Sequence, residues 1–313
     1  MNKRERLECA VAGGKPDRVP VSIYQHSTVH ERGTERFVKF TLDFHKKYDP
    51  DYVKVMYDEM YDAPVNYQFV TDPSIWEMLE RFDPHTGGFG RYLDCLRQVR
   101  DAVPADTPVI GTMFSPLHIA ARMAWGRLVA DFRNDGDKVQ KGLATIAANI
   151  VDFIAAARKE TGVDGIFIGA FGAEPSWLPR ADYERVARPL DAQIFAAIKG
   201  MPFSFVHAHG EEGSYFDMFE QYDCNGISWE DRQPAGPSIG EARAKTKKCL
   251  IGGVNHVAAV AATPEQVYAE AREAIAATGG AGFILAPGCT FFGGTPPENM
   301  LALKRASEDA AKA

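Results

Sequence analysis

Two histidines one residue apart, His207 and His209, end the apolar run Phe203-Ser204-Phe205-Val206. Side chains alternate faces along a strand, so the pair points one way and can grip one metal ion. A lone histidine at a strand end is more often an ordinary polar terminus. The pairing with Cys289, near the end of another apolar run far along the chain, changes that reading. Two imidazole nitrogens and one thiolate suit zinc, and three protein ligands leave a fourth position open, as catalytic sites do. Zinc holding a substrate thiol lowers its pKa and so makes a thiolate nucleophile available at neutral pH. Glu174, with Glu230 as the second choice, is expected to fill the fourth position or take the proton. Each acid alone reads more simply as a solvated loop residue or helix cap, while Asp58 reads equally as a catalytic acid or as neither.

These residues need elements to carry them. Eight short apolar runs read as strands: 18–24, 51–57, 108–114, 164–169, 202–209, 225–229, 249–254 and 282–285. A helix or a helix-bearing loop follows each of them, including long helices over 136–161, 181–199 and 264–278. Strands apolar on both faces and alternating with helices imply a parallel sheet, and eight such units over this length predict one (β/α)8 TIM barrel, residues 1–313 forming a single domain. A doubly wound sheet is the alternative, but no strand runs into a G-x-G-x-x-G turn. The irregular region 60–100, broken by Pro64, Pro73, Pro84 and Gly87-Gly88, is where a binding lid is expected.

In such a barrel the site lies at the carboxyl ends of the strands, so residues scattered along the chain converge on one mouth. Tyr24 and Asn255 are the candidates there for cofactor contact. Gln25, His26, Glu59, Asp231 and His256 stand at the same level. Of the five cysteines, Cys9, Cys95, Cys224 and Cys249 read as buried free thiols on helices, at a strand start or beside a turn. Cys289, between Gly288 and Thr290, packs little and has reason to be there for its sulfur.

Of 313 residues, 45% are hydrophobic and 25% charged, which is ample for a core. A net charge of −7 argues against nucleic acid or a membrane surface as the main partner. No apolar segment is expected to span a bilayer, and Met1-Asn2-Lys3-Arg4-Glu5-Arg6 is too charged to open a secretory signal, so the expected location is the cytoplasm. An odd cysteine count without C-x-x-C speaks against a disulfide framework. Trp76 and Phe89, in the irregular region, read as exposed aromatics that suit a homodimer interface or the lid.

Several stretches resemble the uroporphyrinogen decarboxylase superfamily over nearly the whole chain. They are Arg4-Glu5-Arg6 with Pro16-Asp17-Arg18-Val19-Pro20-Val21, Tyr183-Glu184-Arg185-Val186-Ala187-Arg188-Pro189, the strand end Val206 to Gly210, Ile251-Gly252-Gly253-Val254-Asn255, Gly282 to Cys289, and Thr295-Pro296-Pro297-Glu298-Asn299. The closing stretches are the most specific. The resemblance implies either a tetrapyrrole decarboxylase or a zinc-dependent methyltransferase acting with a corrinoid protein. The methyltransferase branch carries zinc on a His-x-Cys at the fifth strand and a Cys at the eighth. His207 and Cys289 match those positions, and His209 stands where the first Cys would be, which makes the zinc one charge more positive. The decarboxylase branch implies an arginine-rich segment after the first strand, whereas this chain has Ser22 to Thr28 there and no Arg before Arg32. Asp58 falls near that branch's aspartate.

The expected activity is therefore methyl transfer between a corrinoid (cobalamin), carried on a partner protein that docks over the mouth, and a small thiol or folate-type acceptor. Tetrapyrrole decarboxylation, without metal and centred on Asp58, is the alternative. A metal-dependent hydrolase would want its His-x-His on the first strand and an Asp at the eighth, and neither is present. A barrel that only binds a corrinoid leaves the third ligand unexplained.

Overall fold

The computed structural model describes residues 1–58, 61, 70–124, 126–210 and 212–312. Glu59 and much of the expected lid lie outside the described residues. Among the described residues seven strands form one sheet: β1 (Val53–Val55), β2 (Val109–Phe114), β3 (Gly165–Ala170), β4 (Phe203–Ala208), β5 (Gly226–Trp229), β6 (Cys249–Val254) and β7 (Phe283–Pro287). They are ordered as in the chain, and every pairing is parallel. Helices make the crossovers a parallel sheet requires. They include Gly87–Ala102 before β2, Leu128–Glu160 before β3, Arg188–Ile198 before β4 and Pro264–Thr278 before β7.

Alternation along the strands sorts side chains into two layers. Tyr52, Ile110, Phe167, Phe203, Phe205, Cys249, Ile251 and Ile284 meet in one small buried cluster. These residues come from both halves of the strand order, so the sheet is curled around them. The opposite face packs under the helices as the main core.

The expected first strand, 18–24, is not a strand. It runs extended and makes only isolated bridges, Val21 to Leu285 and Gln25 to Phe291. Pro20 explains the break, since it has no N–H for a ladder. The segment still bonds on both sides: the Ser22 N–H donates to the Leu285 carbonyl (2.8 Å) and the Asp51 N–H to the Val21 carbonyl (2.8 Å).

Other expectations needed adjustment. The helix read over 181–199 is two, Arg180–Val186 and Arg188–Ile198, because Pro189 cannot continue the first. The long helix begins earlier than expected, at Leu128, with a break in helical geometry at Asp135. It is also long and apolar enough to cross a membrane by length and composition, contrary to the reading above, although 56% of its most apolar window is buried inside the protein. Trp76 and Phe89 are buried, not exposed. The Trp76 indole N–H donates to Asp131 Oδ2 (2.9 Å), and Phe89 packs against Tyr61, Phe82 and Phe153. Neither residue offers a surface to a second subunit. All five cysteines are free thiols.

Candidate metal centre

The inward parity of β4 runs Phe203, Phe205, His207, which places His207 at the top of the inner layer. On β5 the same parity turns Ser228 and Glu230 inward, while Trp229 faces out against Phe216 and donates its indole N–H to the Pro237 carbonyl (2.7 Å). Beyond β7 the chain passes very close to the end of β5. A Cβ on Gly288 would stand 3.2 Å from the Glu230 Cα and 3.4 Å from the Trp229 carbonyl oxygen. A residue without a side chain at 288 lets Cys289 reach the centre.

The result is a cluster of His207, Glu230 and Cys289 whose ligand atoms all lie within 4.8 Å of one another. His207 Nε2 is 3.4 Å from Glu230 Oε1. Each of these two residues is anchored through its other polar atom: His207 Nδ1 lies 3.2 Å from the Ser228 hydroxyl, and Glu230 Oε2 accepts from the Gly210 N–H (3.0 Å). His207 Nε2 and Glu230 Oε1 are buried with no hydrogen-bond partner. Buried polar atoms normally have one, and two orphaned atoms facing each other fit the donor set of a metal ion.

The charges agree. Burial works against charge on His207, but the Cys289 thiolate and the Glu230 carboxylate beside it push the imidazole up to about 10. Burial would raise Glu230, yet His207 holds it down at about 2. Cys289, opposed by burial, is drawn below its ordinary value by the same histidine. Two anions here call for a cation. A proton on His207 supplies one charge, and a divalent ion, which needs the imidazole neutral, would displace it. One imidazole, one thiolate and one carboxylate fit zinc in both donor type and total charge.

His209 stands on the far side of Glu230, its Nε2 3.7 Å from Oε1, and its Nδ1 is also buried without a partner. Burial brings its pKa down to about 4, so the ring is neutral. Glu174, the first choice for the fourth position, is buried in the loop after β3 with partners of its own and belongs to neither the cluster nor the cavity wall. Asp58 holds His26, with Nδ1 2.9 Å from both carboxylate oxygens. Asn255 Oδ1 accepts from the Val257 and Ala258 N–H groups (3.0 and 2.9 Å), so its side chain caps a turn. Asp231 accepts from the Gly253 N–H (3.0 Å), and His256 packs on Phe292. Gln25 donates to the Phe292 carbonyl (2.7 Å). Tyr24 is buried, points its hydroxyl at the Pro287 carbonyl (3.3 Å) and lines the cavity.

That cavity, about 310 Å3, opens onto His207, His209 and Cys289. Its wall brings in residues the sequence reading passed over: Lys54, Met56, His118, Arg122 and Phe167. Lys54 had a legible signal, being a lone cation on the inward parity of an apolar strand, between Tyr52 and Met56. His118, stacked on Phe114 at 4.3 Å, sits on the helix after β2, and its place at the cavity depends on the turn at Ser115-Pro116.

Comparison with known proteins agrees with this architecture. Over 230 residues the chain is 26% identical to the methylcobamide:CoM methyltransferase MtbA of Methanosarcina mazei, a match covering 72% of this chain and 65% of that protein. Over 235 residues it is 26% identical to the uroporphyrinogen decarboxylase of Dechloromonas aromatica, covering 69% and 63%. The chain thus spans just under two thirds of the length of these curated relatives. A solved methyltransferase from Methanosarcina mazei superposes with a TM-score of 0.84 over 99% of both chains at 19% identity, a likeness of fold. The sequence model of the uroporphyrinogen decarboxylase (URO-D) family matches residues 2–309, and the chain belongs to that family.

Proposed function

We propose that this protein is a zinc-dependent methyltransferase that moves a methyl group between a corrinoid, carried on a separate protein, and a thiol or folate-type acceptor. The observation that carries the reading is the convergence of His207, Glu230 and Cys289, with two buried polar atoms left unpartnered, on the wall of a cavity. Membership of the family and likeness to a methylcobamide:CoM methyltransferase support it. The segment 18–25, bonded to β7 on one side and to Asp51 on the other, is taken as the eighth stave that closes a single (β/α)8 domain.

His207, Glu230 and Cys289 are the assigned ligands, with His209 neutral beside them. Glu230 in place of a second thiolate keeps the total ligand charge that the His209 substitution alone would lose. When bound, zinc supplies Lewis acidity that keeps an acceptor thiol deprotonated at neutral pH. Ser228 holds the His207 ring by Nδ1, and Gly210 holds Glu230 by Oε2, so both ligands are oriented before substrate arrives. Phe114, Phe167 and Met56 on the cavity wall exclude water from the reacting centre.

The test is metal content by elemental analysis of untagged protein beside Cys289→Ala, followed by methyl transfer from methylcobalamin to small thiols. About one zinc per chain, lost in the variant together with transfer, is expected. Metal-free protein that decarboxylates a tetrapyrrole, with Asp58 required, would replace the proposal with the decarboxylase reading.

A further inference from the structure

We propose that Lys54 is a specificity-determining residue of this site, its ammonium group binding the anionic end of a small acceptor whose thiol meets the His207, Glu230 and Cys289 cluster. The inference rests on the methyltransferase reading above. Lys54 lies on β1, in register with Ile110 of β2, so the sheet fixes where its side chain starts. Its Nζ is held 3.8 Å from the centroid of the Tyr24 ring and 3.8 Å from that of Phe167. Ring faces attract a cation but carry no net charge to neutralise it.

Among the described residues lining the cavity there is no carboxylate, whereas Lys54 and Arg122 are both there, in a chain of net charge −7. Asp58, the carboxylate whose charge reaches Lys54, is already held by His26 and the Ser27 N–H. Nor does the cluster offer charge once loaded, since one thiolate and one carboxylate balance a divalent ion. Burial accordingly pushes the Lys54 amine down to about 7, although Cys289 and Asp58 act the other way. A buried cation without a counter-ion is costly, and a ligand anion removes that cost. The cavity's 310 Å3 lies at the small end for ligand sites, and its apolar walls suit a short aliphatic link between thiol and anion.

The experiment compares 3-mercaptopropionate with the neutral 3-mercapto-1-propanol as methyl acceptors, on zinc-loaded wild type, Lys54→Met and Lys54→Arg. Wild type is expected to favour the anionic thiol in kcat/KM by about tenfold, carried in KM. Lys54→Met, with its zinc content unchanged, should lose the preference and Lys54→Arg should regain part of it. An equal preference in Lys54→Met, or none in wild type, overturns the proposal. If no thiol accepts a methyl group, the activity reading has failed, and propionate binding by calorimetry still decides for Lys54. Heat of binding lost in Lys54→Met, with proton uptake near pH 7.5 seen only when an amine is present, supports the anion site. Equal binding in both proteins overturns it.

Discussion

Asp51 and Glu230 are both buried carboxylates, and they stand at opposite ends of the sheet, one before β1 and the other after β5. Asp51 is fully partnered: Arg6 donates to it at 2.7 Å, Arg18 at 2.7 and 2.9 Å, and the Val21 N–H at 2.7 Å. Glu230 accepts from Gly210 with one oxygen and leaves the other without a hydrogen bond. The amino end of the sheet spends its buried charge on tying the N-terminal segment to the sheet. The carboxyl end holds its buried charge beside a cavity, with one carboxylate oxygen free of hydrogen bonds. In parallel α/β sheets the amino ends of the strands commonly carry stability and the carboxyl ends carry the site, and the two carboxylates divide in that way.

Breaking the stability face should have the largest effect. Asp51→Asn leaves Arg6 and Arg18 short of a partner and should cost roughly 3–5 kcal/mol in urea unfolding. A loss below about 1 kcal/mol would erase the contrast between the two ends. At the other end, Glu230→Gln should lower zinc affinity by at least about 100-fold, measured by competition with a chelator. Apo-protein stability should fall by only about 1 kcal/mol, because Glu230 balances His207 alone and accepts a single backbone N–H, whereas Asp51 ties down two arginines. A large fall in apo stability would instead make Glu230 a structural residue like Asp51. Ser228→Ala frees the His207 ring without touching a ligand atom, and a loss of about 10-fold in zinc affinity is expected.

The smallest effect concerns a third buried carboxylate that follows neither pattern. Asp191 accepts from the Tyr183 hydroxyl (2.5 Å), and burial raises its pKa from 3.8 to about 7. The folded chain therefore holds a proton that the unfolded chain releases, and stability falls as pH rises from about 4 to 7. Asp191→Asn should remove that slope, gaining about 1 kcal/mol at pH 7 relative to pH 6 in urea unfolding. An unchanged slope would mean that the carboxylate is charged in the native state and satisfied by its tyrosines.

Much of this was legible in the chain itself. Alternating apolar strands and helices announced a parallel α/β architecture, because burial on both faces requires continuous apolar runs with helices between them. His207 at a strand end and Cys289 in a glycine-bearing loop were legible as residues that could meet, whereas His209, read as a third ligand, lies outside the cluster. What periodicity cannot see is distance across the curled sheet. It ranked Glu174 above Glu230, since both follow strands and both are acids. Only the inward parity of Ser228 and Glu230 and the close passage of Gly288 separated them. It read Trp76 and Phe89 as exposed, because their local sequence is irregular, although the long helix 128–160 covers them. It gave Pro20 a strand that a missing N–H cannot sustain.

By itself, then, the sequence determined the element types, their order and the chemistry available at the strand ends, because those follow from local spacing and side-chain identity. The tertiary structure alone decided which acid joins His207 and Cys289, and that Lys54 faces the same cavity between two rings. Those facts depend on how the sheet curls and on which strand ends come within a few ångströms of one another.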